Sequence, residues 1–154
     1  MSVCSICRSN NTTKYFLLEK YQIRKCFDCK SHYLNPIPTK NVLRSIYNNN
    51  YFIKELENKD SLFSKQKQKT ADYHINLLSK YVDSAGSKIL EIGSGYGDFL
   101  FRSAQKNFNV TGVEYSENSV NTINKKFDDV RIKAYSGELD SQKFKKNSFD
   151  AIVF

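Results

Sequence analysis

The stretch Lys88-Ile-Leu-Glu-Ile-Gly-Ser-Gly-Tyr-Gly-Asp-Phe99, with Val110-Thr-Gly-Val-Glu114 after it, decides the fold of this chain. Residues 89–92 form an apolar run suited to a buried parallel strand, and Leu100, Phe101, Ala104 and Phe108 then recur at helical spacing. Between them Gly93, Gly95 and Gly97 suit a turn whose backbone passes close to a ligand. Glu114 closes the next strand 21 residues after Gly93, where a carboxylate can accept hydrogen bonds from both ribose hydroxyls of a bound adenosine. Strand, glycine turn, helix and a second strand ending in an acid make one half of a nucleotide-type cofactor site. The plainer alternative is a strand-turn-helix that uses its glycines only to turn. The position of the glycines between strand and helix, together with Glu114, favours the ligand site.

Glycine spacing separates the possible cofactors. A dinucleotide fingerprint reads G-x-G-x-x-G, and its third glycine would fall at Asp98. A carboxylate there, at a helix N-terminus, would repel a pyrophosphate, which disfavours a nicotinamide-dependent oxidoreductase. The pattern is instead E-x-G-x-G-x-G, with Glu91 two residues before the first glycine, and it fits a cationic ligand without phosphate. These residues resemble motif I of the class I methyltransferases that use S-adenosylmethionine, whose LEIGSGxG turn wraps the methionine end of the cofactor. The resemblance implies that Glu91 orients that cationic end and that the backbone of Gly93-Ser94-Gly95-Tyr96-Gly97 lies against the cofactor. It further implies that Glu114 holds the ribose, with Tyr115 beside it in the same site. Further on, Ser136-Gly-Glu-Leu-Asp140 opens a loop, and the resemblance implies adenine contacts from Glu138 and Leu139. A bland surface turn is the alternative for those two residues.

The other paired motif is N-terminal. Cys4-x-x-Cys7 and Cys26-x-x-Cys29 are separated by 18 residues, inside the range read as a tetrahedral zinc site. Residues 13–25 look like short strands between the two cysteine turns, so the module resembles a zinc ribbon. Its aromatic residues Tyr15, Phe16, Tyr21, Phe27 and Tyr33 are expected to form a small core. A segment under 40 residues buries too little apolar surface to fold alone, so a metal would supply folding free energy. A thioredoxin-like redox pair is disfavoured because neither pair opens a helix in a βαβ pattern, and unpaired core cysteines are the remaining alternative. Arg8 and Lys30 follow the second cysteine of each pair, where such turns commonly use glycine. His32 reads as a surface or packing residue and His74 as a solvent-facing or packing one. No residue stands out as a catalytic base.

The 154 residues carry a formal charge of +8, concentrated N-terminally: 14 Lys plus Arg against 7 Asp plus Glu before Ala85, but 10 against 9 from there on. A basic excess suits anionic partners, yet four thiolates on one divalent metal carry about −2 and offset part of it. Lys65, Lys67 and Lys69 read as a solvated face or linker. No apolar run approaches the roughly 20 residues of a membrane span, and no signal-peptide layout opens the chain, so no membrane association and a cytoplasmic protein are expected.

Three segments follow: a zinc-binding module over 1–38, a helical connector over 39–84 and the first half of a methyltransferase domain over 85–154. The connector holds a helix from Thr39 through Tyr47 ended by Asn48-Asn-Asn50, then Tyr51-Phe52, a lysine-rich stretch over 54–69 that reads as a connecting helix or a mobile linker, and a helix over 70–82 with Tyr73, Leu77, Leu78 and Tyr81 on its core face. After Glu114, Ser116 caps a helix bearing Val120, Ile123 and Phe127, and strands are expected over 130–135 and 149–154. The expected fold class is α/β, a Rossmann-like partial methyltransferase sheet of about four strands preceded by the ribbon-like module and helices.

The order of the cysteine pairs, Tyr33-Leu-Asn-Pro-Ile-Pro-Thr39, Ile46-Tyr47, Tyr51-Phe52 and LEIGSGYGDF resembles methyltransferases that join an N-terminal zinc-binding segment to a class I domain. Many of these occur with enzymes of sugar or surface-polysaccharide biosynthesis, so the resemblance implies a small-molecule acceptor of sugar or sugar-nucleotide type. Against the seven strands of that family, a fragment inactive by itself is expected. The alternative from another class is a nucleic-acid-binding zinc ribbon on a remnant Rossmann-like domain, with the N-terminal aromatics as stacking platforms. It is the less favoured reading, and nucleic acid is not an expected partner.

Overall fold

The computed structural model describes residues 3–48 and 61–154. Tyr51, Phe52 and the stretch 54–60 lie outside the described residues. Contacts divide the chain into two compact units, Met1–Leu43 and Arg44–Phe154.

The first unit is an antiparallel sheet of β1 (Thr12–Leu18), β2 (Tyr21–Cys26) and β3 (His32–Asn35) in sequential order. Its buried cluster consists of Cys4, Cys26 and Tyr33, with Cys29 packed against it. Tyr15 and Phe16 are 64% and 56% exposed, and Phe27 is exposed too, so the expected aromatic core is reduced to Tyr33. Pairing explains this. The ladder slips between Lys14 and Phe16, and Tyr15 sits in that irregularity with its ring edge-on to His32, 4.6 Å between centroids. Helix α1 (Lys40–Asn48), whose residues from Arg44 onward belong to the second unit, follows Thr39, whose Oγ1 accepts from the Val42 N–H at 3.4 Å.

In the second unit strands and helices alternate: α2 (Leu62–Leu78), β4 (Lys88–Ile92), α3 (Asp98–Gln105), β5 (Asn109–Glu114), α4 (Glu117–Lys126), β6 (Ile132–Ser136), a 3₁₀ turn over Leu139–Gln142, and β7 (Ala151–Val153). The sheet is parallel with order β6-β5-β4-β7. The chain therefore steps outward from β4 to β6 and returns to the other side of β4, a switch point at which the carboxyl ends of parallel strands leave a crevice for ligands. Ile75, Ile89, Leu100, Phe108, Val110 and Ile123 form the centre of the core. Ser116 Oγ caps α4 by accepting from the Ser119 N–H, and Lys125 and Lys126 lie in its last turn.

Helix α2 departs from expectation. It begins at Leu62, behind an N-cap at Ser61 that accepts from the Ser64 N–H at 3.1 Å, so Lys65, Lys67 and Lys69 belong to the helix. Its buried face is Ala71 and Ile75, continued by Leu78 and Val82, whereas Tyr73, Leu77 and Tyr81 are exposed. Arg102 of α3 grips Asp72 through Nε and Nη2 at 2.9 and 2.6 Å. Burial of Ala71 and Ile75 turns that flank inward and the tyrosines to water, and the half-exposed bidentate pair at its edge accompanies it. No helix among the described residues is long and apolar enough to cross a membrane.

Candidate functional site

β4 ends at Ile92 and the chain enters the glycine turn. The Gly93 N–H donates to the Val113 carbonyl at 2.8 Å and the Gly97 N–H to that of Ser94 at 2.8 Å, which fastens the turn to β5 and closes it on itself. Gly95 has φ +52°, and a Cβ placed there would meet no protein atom within 4 Å. The turn thus has a left-handed backbone and faces open space, a conformation that L side chains resist. Gly112 on β5 differs, because a Cβ there would lie 2.7 Å from Ser94 Oγ and 2.8 Å from Leu100 Cδ1. It lets β5 approach the turn, a role absent from the expected site residues although a glycine inside a strand pattern is its signal.

Glu114 joins the two carboxyl ends. Its Oε2 accepts from the Gly95 N–H at 2.8 Å and its Oε1 from the Ser116 N–H at 3.0 Å. A carboxylate offers about four lone-pair sites, so each oxygen retains acceptor capacity. Glu91 stands in contrast: its Oε2 is inaccessible to solvent and accepts no hydrogen bond. Burial, with the Asp98 and Glu114 carboxylates adding repulsion, pushes Glu91 up to about 8. A buried carboxyl group without a donor, close to two other acids, is suited to a cationic group that brings its own N–H donors. Ser94 Oγ is a second buried oxygen without a partner in this turn.

The remaining expected residues fall around this centre. Tyr96 is half-buried in the turn, and Tyr115 is half-buried with its ring 5.8 Å from that of Tyr47 on α1. The Gly137 N–H donates to the Glu114 carbonyl at 2.9 Å, tying the loop after β6 to the end of β5. Glu138 is the N-cap residue of the 3₁₀ turn. Leu139 lines a cavity of about 470 Å³ with Leu90, Phe144, Phe149 and Ile152, and neither Glu91 nor Glu114 borders it. His74 is exposed on α2.

In the N-terminal unit, Cys4, Cys7, Cys26 and Cys29 bring their sulfurs within 4.8 Å of one another, a set that could hold a metal ion. The Sγ–Sγ distances are 3.7 Å for Cys4 with Cys29 and 3.6 Å for Cys7 with Cys26. A zinc–sulfur bond of about 2.3 Å gives a tetrahedral edge of about 3.8 Å, so the spacing fits. The hydroxyl and amide of Ser31 hold Cys29 down at about 6. The Ser9 amide lowers Cys7, but Cys29, burial, Cys26 and Cys4 together push it up to about 12. Four thiolates so close repel one another, and a divalent cation removes that repulsion. Arg8 and Lys30 both adopt left-handed backbone, φ +64° and +63°, at the knuckle positions that glycine commonly fills.

Comparison with known proteins bears on part of the chain. Residues 89–154 match the family model for a methyltransferase domain. A stretch of 58 residues is 45% identical to the 23S rRNA (uracil(747)-C(5))-methyltransferase of Pyrococcus abyssi, covering 36% of this chain and 14% of that protein. The crystal structure of magnesium protoporphyrin IX methyltransferase from Synechocystis PCC 6803 with bound S-adenosylmethionine is similar with a TM-score of 0.61 at 20% identity, over 77% of this chain and 62% of that one. The same enzyme with bound S-adenosylhomocysteine gives 0.60 at 20% identity, over 74% and 57%. The chain thus spans less than two thirds of the length of these relatives. At this identity the structural likeness speaks to the fold, a Rossmann-like sheet, and the match over residues 89–154 is a similarity to a methyltransferase domain.

Proposed function

We propose that this chain binds S-adenosylmethionine and belongs to a methyltransferase that uses it, with an N-terminal module stapled by one zinc ion. The observation that carries the reading is a turn open toward solvent at Gly95, with the unpartnered carboxyl of Glu91 behind it and the anchored carboxylate of Glu114 beside it. Glu91 accepts from the ammonium of the methionine end. The backbone of Gly93, Ser94, Gly95, Tyr96 and Gly97 lies along the ligand, and Glu114 accepts from the ribose hydroxyls with its remaining lone pairs, next to Tyr115. Glu138 and Leu139 face the adenine. When bound, the cofactor supplies a methyl group on a cationic sulfur. The chain's task is orientation, since such transfers depend on in-line placement of acceptor and methyl group. The acceptor we propose is a small molecule of sugar-related type, supported by the resemblance that the cysteine pairs and the Tyr33–Thr39 run carry. Cys4, Cys7, Cys26 and Cys29 hold the zinc, which has a structural role.

Calorimetric titration with S-adenosylhomocysteine and with NAD tests the cofactor. Binding of the first and no response to the second is expected. Glu114→Ala should weaken the complex by about 1.5–3 kcal/mol, the range for a hydrogen bond to a charged group, and Gly95→Val should abolish it. Equal binding by wild type and both variants would move the site elsewhere.

A second reading, for the ribbon alone, is favoured by the exposure of Tyr15 and Phe16 and by a balance of 7 Lys plus Arg against 2 Asp plus Glu over residues 1–43. Aromatic platforms in a basic field suit single-stranded nucleic acid. Salt-dependent oligonucleotide binding without any adenosyl response would select it.

A further inference from the structure

Helix α2 has two apolar flanks, and the fold covers one of them. Ala71 and Ile75 are buried, with Leu78 and Val82 packed beside them. On the opposite side Leu62, Phe63, Tyr73, Leu77 and Tyr81 are all exposed, the end residues Leu62 and Tyr81 by 85% and 80%. The turn after the helix keeps Tyr81 in line, because the Lys80 N–H donates to the Leu77 carbonyl at 3.1 Å and the Tyr81 N–H to that of Leu78 at 2.9 Å. At helical spacing these five side chains fall within about 100° of the circumference, the width of a stripe that ordinarily faces a core. Apolar surface gathered in this way marks an interaction site, whereas single exposed residues do not.

The charges around the stripe say what fits it. Residues 62–82 hold four lysines and a single acid, Asp72, which Arg102 grips bidentately. Lys65, Lys69 and Lys80 are exposed along one border of the stripe and form no ion pair among the described residues. Lys67 stands on the other border, its Nζ 4.7 Å from the centroid of the Phe63 ring. Leucines and aromatic rings at the centre, with long cationic side chains at the edges, are the composition of a helix that lies in the plane of a lipid interface. Nucleic acid asks for the reverse, since Leu62 and Leu77 offer phosphates nothing.

We propose that the outward flank of α2 docks on an anionic lipid surface, with Leu62, Phe63, Tyr73, Leu77 and Tyr81 at the level of the headgroups and Lys65, Lys69 and Lys80 against the lipid anions. This departs from the expectation of no membrane association, which rests on the absence of a span. A helix lying on a surface needs no run of roughly 20 apolar residues. The proposal is independent of the adenosyl ligand.

The test is sedimentation of the full chain with vesicles of phosphatidylcholine alone and of phosphatidylcholine mixed equally with phosphatidylserine. Wild type should sediment with the mixed vesicles, far less with the neutral ones, and be released by salt. The triple variant Lys65→Gln, Lys69→Gln, Lys80→Gln should lose about a hundredfold in affinity, and the double variant Tyr73→Ser, Leu77→Ser about tenfold, both at unfolding temperatures close to that of wild type. The chain has no tryptophan, so Tyr73→Trp reports on the stripe alone. Its emission should move to shorter wavelength on mixed vesicles and be quenched by brominated acyl chains. The proposal fails if wild type does not sediment with mixed vesicles or if the triple variant binds them as wild type does. It fails equally if Tyr73→Trp sediments with unshifted emission, because another basic surface then does the binding, and if the three lysines are needed for an oligonucleotide but not for vesicles. Should either multiple variant unfold early, the Tyr73→Trp emission decides.

Discussion

The ribbon and the α/β unit are stabilised by different means. In the ribbon the buried cluster is two cysteines and Tyr33, while Tyr15, Phe16, Leu17 and Leu18 on β1 are exposed. In the α/β unit a continuous cluster runs from Ile75 on α2 through Ile89, Leu100 and Phe108 to Ile123 on α4. Burial at roughly 25 cal/mol per Å² sustains the second and leaves the first short. What the ribbon has in place of a core is four converging sulfurs. The comparison teaches that the two units should fail independently, each to its own insult.

The largest effect expected is from metal removal. Chelation, or Cys26→Ser, should unfold the ribbon, because structural zinc contributes on the order of 10 kcal/mol or more to such modules. Amide resonances of residues 12–35 should collapse to unfolded positions while those of β4, β5 and β6 stay dispersed. Elemental analysis of protein purified without chelator should find one zinc per chain, and less than half an equivalent would defeat the assignment. The mirror experiment is Leu100→Ala, a fully buried truncation that should cost about 2–5 kcal/mol in the α/β unit and leave zinc stoichiometry unchanged. Loss of zinc in that variant would show the two units to be coupled.

The smallest effect separates fold from ligand inside the α/β unit. Glu91 keeps its proton in the free protein up to about pH 8, and a cationic ligand favours the ionised form. Affinity for S-adenosylhomocysteine should therefore rise between pH 6 and pH 8, by up to about tenfold per pH unit, and level off above. The unliganded protein should show the opposite trend. A carboxyl group raised from 4.5 to about 8 on folding stabilises the folded form fully below the lower value, and that stabilisation is lost as pH climbs toward the upper one. Glu91→Gln should flatten both profiles, and a pH-dependent affinity that survives this substitution would assign the titration to another group.

The parts of this molecule legible in the sequence are those whose cause is local. The glycine turn, its flanking strands and the paired cysteines each announce themselves within a dozen residues, and β4, α3, β5 and the sulfur cluster stand where that reading puts them. Helix phase is different, since tyrosine is apolar by area and polar at its tip. Tyr73 and Tyr81 therefore read as core, although α2 buries Ala71 and Ile75 and its Asp72 pairs with Arg102 of α3. The ribbon aromatics were misplaced for a related reason. Strand alternation says which side chains share a face but not whether anything covers that face. The contact between Tyr47 and Tyr115 spans 68 positions, and no local pattern encodes it.

Arg8 and Lys30 carry one more consequence. Each holds a left-handed backbone at a knuckle, which costs a non-glycine residue about 1–2 kcal/mol. Each also directly follows a cysteine of the cluster, so a cationic residue shares the turn with a sulfur of a set that, around a divalent metal, would carry about two negative charges in excess. Glycine at either position would relieve the backbone and strip away the neighbouring charge in the same step, so strain and charge balance pull in opposite directions. The knuckles are thus poised between two optima, and salt, which weakens the charge interaction while leaving the strain untouched, sets which residue serves the ribbon better.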